Sequence, residues 1–285
     1  MMAGQYATIR LTQWKEYKLF VERFSENWAF RGQQNAAWVL NNAIERTNFI
    51  QHYNGVELDF VAEFQRGARN YLSKDETPEH LIEWLALMQH HGAPTRLLDL
   101  TRSPFIAAYF AFELCDDTQD QCVAIWGFNI NYLKNKSLEI LSGEFGEALK
   151  ESKNLINENL FEKIFYQNNL RLVFPVEPFR MNRRYSLQQS VFISTGISCI
   201  PLMEQLHFLG DIIEQAVVKI EVPSIYKKEA LRELQQMNLN RASLFPDLDG
   251  YALSLKLRYE SKRTPEEAMQ EKLSKLEDEK YQFLP

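Results

Sequence analysis

The stretch Met88–Phe112, MQHHGAPTRLLDLTRSPFIAAYFAF, gathers His90, His91, Thr95, Arg96, Asp99, Thr101 and Ser103 beside a strongly apolar run. Polar groups this dense are costly to bury unless they pair with one another or hold a ligand. Three further groups carry chemistry-bearing residues: Phe30-Arg31-Gly32, Asn182-x-Arg184 with Gln188-Gln189, and Phe245-Pro246-Asp247-Leu248-Asp249-Gly250. An arginine inside a strand-like run is either a snorkelling edge residue or an anion contact at a strand end. Arg180, Arg183 and Arg184 form a local basic patch able to hold a phosphate.

Each group also has a bland reading. Arg96 and Asp99 read equally as a buried ion pair that pins the core. His90 reads as a C-terminal helix residue, where the dipole favours a cationic imidazole. Gln188 and Gln189 read as partners for backbone groups at a strand crossover. No metal is expected: His90 and His91 point about 100° apart on a helix, and the cysteines lack C-x-x-C spacing. Residue types alone leave a Ser-His-Asp triad open, but there is no G-x-S-x-G.

These groups need elements to position them. Helical spacing is read over residues 12–24 and 56–72, and over a helix opened by Thr77-Pro78-Glu79 and stopped near Gly92. Ser103-Pro104 starts another, and residues 36–48 read as loop then helix. Further helices are read at residues 227–237, 251–259 and 264–280, the last a charged tail. Strands are expected near residues 27–33, 95–99, 121–128, 170–175, 190–195 and 216–222. The expected fold is α+β: residues 1–263 as a single domain with a small mixed or antiparallel sheet and flanking helices. Residues 129–169 read as a helical insertion lying over it, and residues 264–285 as a charged C-terminal helix.

The 285 residues suffice for a sizeable core, and the 45% apolar fraction is that of a globular protein. A net charge of −6 argues against a general nucleic-acid coat or a membrane-surface protein. Three cysteines, an odd count, suit a reducing compartment. There is no apolar h-region at the N-terminus and no run near the ~18 apolar residues of a membrane span. The expectation is a cytoplasmic protein without membrane contact.

Taken in order, Phe30-Arg31-Gly32, the Gln89-His90-x-Gly92-x-Pro94-Thr95-Arg96-Leu97-Leu98-Asp99-x-Thr101-x-Ser103-Pro104 core, Asn182-x-Arg184 with Gln188-Gln189, and Phe245-Pro246-x-x-x-Gly250 resemble the FRG domain family. The sequence departs from that family's usual pattern at His91, often Tyr, and at Ser190, often Gly. A fainter resemblance is to ADP-ribosyltransferases, which place an Arg on an early strand, a Ser/Thr-rich strand before an apolar helix, and a late Gln-x-Glu or Glu-x-Glu. That resemblance implies an NAD-consuming enzyme. Arg31, His90, Gln188 and Gln189 would stand at the catalytic edge. Arg31, Gly32, His90, Thr95, Arg96, Thr101, Ser103 and Tyr109 would hold the nucleotide, with Tyr109 or Phe110 as an aromatic shelf. The late element has no Glu, so the acid falls to Asp99, Asp247 or Glu113, or to the acceptor, or catalysis is absent. The implied partners are an RNA, DNA or protein acceptor, and an antitoxin or other protein docked on the C-terminal helix, as in a toxin or phage-defence effector. The alternative is a non-catalytic nucleotide- or RNA-binding module.

Overall fold

The computed structural model describes residues 6–47, 55–118, 120–151, 156–177, 183–209 and 216–260. Seven strands form one sheet: β1 (Ala7–Arg10), β2 (Trp28–Gln33), β3 (Leu97–Thr101), β4 (Cys122–Asn129), β5 (Val173–Val176), β6 (Ser190–Thr195) and β7 (Val217–Pro223). Their order is β1-β7-β4-β2-β3-β6-β5, with β1 parallel to β7 and every other neighbour antiparallel. The fold is α+β, as the mixture of short strands and helices predicts. The six expected strands all form. The added one, β1, has only four residues, too few for alternation to register.

The helices are α1 (Trp14–Val21), α2 (Val56–Ala68), α3 (Leu81–His90), α4 (Pro104–Phe112), α5 (Ile130–Glu151), α6 (Glu158–Gln167), α7 (Arg183–Leu187), α8 (Leu202–His207), α9 (Lys227–Gln236), α10 (Arg241–Leu244) and α11 (Leu248–Glu260). α3 starts later than the Thr77-Pro78 signal suggests. Its first turn is closed by Glu83, whose carboxylate accepts from the backbone N–H of Glu79 at 3.0 Å and of His80 at 3.4 Å. Residues 36–47 hold only a 3-10 turn, Ile44–Arg46, rather than a helix. The charged 264–280 tail lies outside the described residues.

Successive strand residues face opposite sides of the sheet. Phe30, Ile125 and Ile220 join α1, α4 and α9 in one apolar cluster, with Trp14 and Phe112 at its centre. Ala29, Leu98, Trp126 and Ile193 turn the other way and pack on Leu133 and Leu202. A third cluster packs α3, α5 and α6 onto Phe174 and Phe192. Leu141, Leu160, Phe161 and Phe165 are buried there, so the 129–169 segment supplies core rather than lying over it.

Candidate functional site

β2 and β3 pair at one position only, Phe30 opposite Thr101, while β2 pairs with β4 along its whole length. Beyond that pair the two strands separate. The Arg31 guanidinium bridges the gap, its Nη1 donating to the Asp99 carbonyl at 2.9 Å. Gly32 follows because α4 packs so close that a Cβ there would sit 2.1 Å from the Ala107 carbonyl oxygen and 2.6 Å from the Ala111 nitrogen. α4 presents alanines to it and is launched by Pro104 at its first position, with the Ser103 hydroxyl accepting from the Ile106 N–H at 3.3 Å.

The separation opens into a cavity of about 320 Å3. Arg31, Asp99 and Thr101 form its floor. His90 at the end of α3, Phe110 and Glu113 from α4, Arg184, Tyr185 and Gln188 from α7 and its exit, and Arg241 and Phe245 around α10 form its walls. Thr101 is buried and its hydroxyl donates to the Gln188 carbonyl at 2.7 Å, which ties the end of β3 to the turn before β6.

The charge balance is cationic. Three guanidinium groups and an imidazole face two carboxylates, Asp99 and Glu113. Glu113 is taken: Arg241 Nη1 reaches both its oxygens at 3.0 and 2.9 Å, and the Tyr109 hydroxyl donates to it at 2.7 Å. The Nε atoms of Arg31, Arg184 and Arg241 and the Nδ1 of His90 are sealed from solvent without a hydrogen-bond partner among the described residues. Buried donors of this kind are normally satisfied, so the cavity is short of acceptors. The Arg184 and Arg241 guanidiniums lie 4.4 and 3.8 Å from the centre of the Phe245 ring. Burial lowers the Arg31 and Arg184 guanidiniums from their usual values, and the Asp99 charge opposes the shift in both. Both stay cationic, since a guanidinium starts so far above neutrality. Burial, then the Arg184 and His91 charges, lower His90. The cationic imidazole that the helix dipole favours is therefore not the form His90 holds at neutral pH.

Arg31, Gly32, His90, Thr101, Arg184 and Gln188 line this cavity, the Arg184 of the basic patch among them. Other expected residues do not line it. Gln189 is exposed in a left-handed turn at φ 50. Arg96 is buried elsewhere: it pairs with Glu57 at 2.5 and 2.9 Å, stacks on Phe165 and donates to the Thr195 and Gly196 carbonyls. It therefore pairs with Glu57, not Asp99, which points into the cavity. Thr95 is fully buried and donates to Gln89. Ser103 caps α4, and Tyr109 faces Glu113, leaving Phe110 as the aromatic wall. Arg183 is exposed at the start of α7, and Arg180 lies outside the described residues. Asp247 is a turn residue whose carboxylate accepts from the Gly250 N–H at 2.6 Å. Gln188 uses its amide on the Leu244 carbonyl at 3.0 Å. No group of three or more His, Cys, Asp or Glu able to hold a metal occurs among the described residues.

Arg241 is a cavity residue that the sequence does not betray. It sits in an unremarkable Asn-Arg-Ala-Ser run, and its partner Glu113 lies 128 positions earlier. Phe245 was flagged by its motif, but not its contact with two guanidiniums.

No curated protein and no solved structure matches the chain. The family model of the FRG domain matches residues 26–121. That span contains the Phe30-Arg31-Gly32 strand, His90, Asp99 and Thr101, while Arg184, Gln188 and Phe245 reach the same cavity from beyond it. Residues 26–121, which carry the floor of the cavity, are thus similar to the FRG domain.

Proposed function

We propose that the cavity is the site of an ADP-ribosyltransferase-like enzyme that takes NAD as substrate. The observation that carries this reading is the convergence of Arg31, Arg184 and Arg241 on one hollow with their Nε atoms unmatched. A guanidinium is the side chain best suited to a phosphate, because its fork of donors matches the phosphate oxygens. A neutral His90 supplies the imidazole that a ribose diol would meet, Thr101 shapes the floor beneath it with its hydroxyl on the Gln188 carbonyl, and Phe110 and Phe245 supply flat apolar surface for a ring. Along the chain, Arg31-Gly32, then Thr101-x-Ser103 before α4, then Gln188-Gln189-Ser190 follow the order of the ADP-ribosyltransferase elements described above, with no Glu in the last. An RNA, DNA or protein acceptor, a role as a toxin or phage-defence effector, and a partner protein on the C-terminal segment belong to the same proposal.

The test is to incubate the purified chain with NAD and candidate acceptors and follow free nicotinamide. Wild type releases it, and Arg31→Ala lowers release by roughly 100-fold, the scale expected when a charged substrate contact is lost from a closed site. Equal rates in the two proteins, or no release above blank, reject the reading.

One observation favours a second reading, a non-catalytic nucleotide- or RNA-binding module. Gln188 places its amide N–H on a backbone carbonyl and Gln189 lies outside the cavity, so the late pair brings no carboxylate to a reaction. In that case nucleotides raise the melting temperature and no nicotinamide appears.

A further inference from the structure

We infer that Asp99 is the catalytic carboxylate of this cavity, acting from the central strand β3 in place of an acid on the late strand. The inference rests on the NAD reading above and deepens it.

Three acids were candidates by sequence. Glu113 is held by Arg241 and Tyr109, so both its oxygens are engaged. Asp247 is locked into its turn by the Gly250 N–H and does not line the cavity. Asp99 differs from both. It lines the cavity, it is half-buried, and its carboxylate has no hydrogen bond or ion pair to any described residue. The contact between Arg31 and Asp99 is made through the Asp99 backbone carbonyl, which leaves the side chain untouched. Two guanidiniums, Arg31 and Arg184, lie near enough to feel its charge, and so does Tyr185.

An unengaged anion in the same cavity as two guanidiniums that would hold phosphate is placed for one event. When the glycosidic C–N bond of NAD breaks, its electron pair leaves with nicotinamide, which departs neutral, and the ribosyl carbon becomes electron-poor. The Asp99 carboxylate faces that developing positive charge. The acceptor's lone pair then forms the new bond to the same carbon, and the acceptor's proton passes to Asp99 and on to water. No oxidant or reductant is needed.

The experiment measures NAD affinity by calorimetry and nicotinamide release in parallel, on the full chain, for wild type, Asp99→Asn, Asp99→Glu and Arg31→Ala. Melting curves verify that each variant is folded. Asp99→Asn should lose about 100-fold or more in kcat. It should bind NAD as tightly as wild type or tighter, because a negative charge beside the phosphates is gone. Asp99→Glu should recover part of the rate. A role limited to balancing Arg31 would instead weaken binding and leave kcat nearly intact, and that result overturns the assignment. So does Asp99→Asn releasing nicotinamide within a few-fold of wild type while Arg31→Ala does not, an outcome that leaves the NAD reading standing. Absence of NAD binding by wild type removes both.

Discussion

Arg96 shows how a residue that looks functional becomes structural. It is a cation in a motif full of polar groups, yet its side chain is 2% exposed and every contact it makes is internal. Removing one member of a buried ion pair strands the other's charge in an apolar setting. Glu57→Ala is therefore expected to destabilise the protein by about 3 kcal/mol or more, read by denaturant unfolding. Arg31→Ala, which opens onto a cavity, should cost far less stability, and on the proposed reading its loss shows in ligand binding instead. Pattern could separate these two arginines only in part. Residue types and order single out Arg31, His90, Thr101 and Gln188 together, because each lies in or beside a motif that interrupts an apolar run. Which arginine meets which acid could not be read there: Arg96 and Glu57 are 39 positions apart, Arg241 and Glu113 are 128, and a charge in a sequence does not name its partner.

Elements fix the site through close approach as much as through side chains. The seat of α4 on β2 depends on Gly32 facing the Ala107–Ala111 stretch. Gly32→Ala places a methyl group on backbone atoms that have nowhere to move, so α4 must lift. The expected cost is about 1–3 kcal/mol in unfolding free energy, and on the proposed reading NAD binding falls with it, because Phe110 and Glu113 travel with the helix. The glycine after Arg31 thus belongs to packing, though its position in the motif resembles a ligand contact. Strand and helix positions in this region are legible because β3 carries three leucines in five residues and α4 is an unbroken apolar run with Pro at its start. β1 is not, and neither is the role of α5 and α6, because a polar outer face hides the apolar stripe of a helix that covers a core.

At the scale of the whole molecule, a net charge of −6 surrounds one cationic hollow. Composition therefore says little about the site, whose sign is opposite to that of the chain. A second group senses the global fold. Glu45, whose carboxylate accepts from the Leu202 N–H at 3.0 Å, has its pKa pushed up to about 7 by burial. A carboxyl raised in the folded state takes up protons that the unfolded chain releases. Its effect on stability is therefore nil below about pH 4.5 and grows unfavourable as the pH climbs from there to about 7. The melting temperature should fall across that window, and Glu45→Gln should flatten the slope. An unchanged slope in the variant would show that other groups govern it.

The lone rung between β2 and β3 has a further consequence. It makes a seam between a half-sheet of β1, β7, β4 and β2 and another of β3, β6 and β5. The chain stitches across that seam at β2 to β3, β3 to β4, β4 to β5 and β6 to β7, so covalent connections stand in for the missing ladder bonds. Side chains of both halves share one apolar cluster, and a molecule bound across Arg31 and Asp99 would add a second tie over the seam.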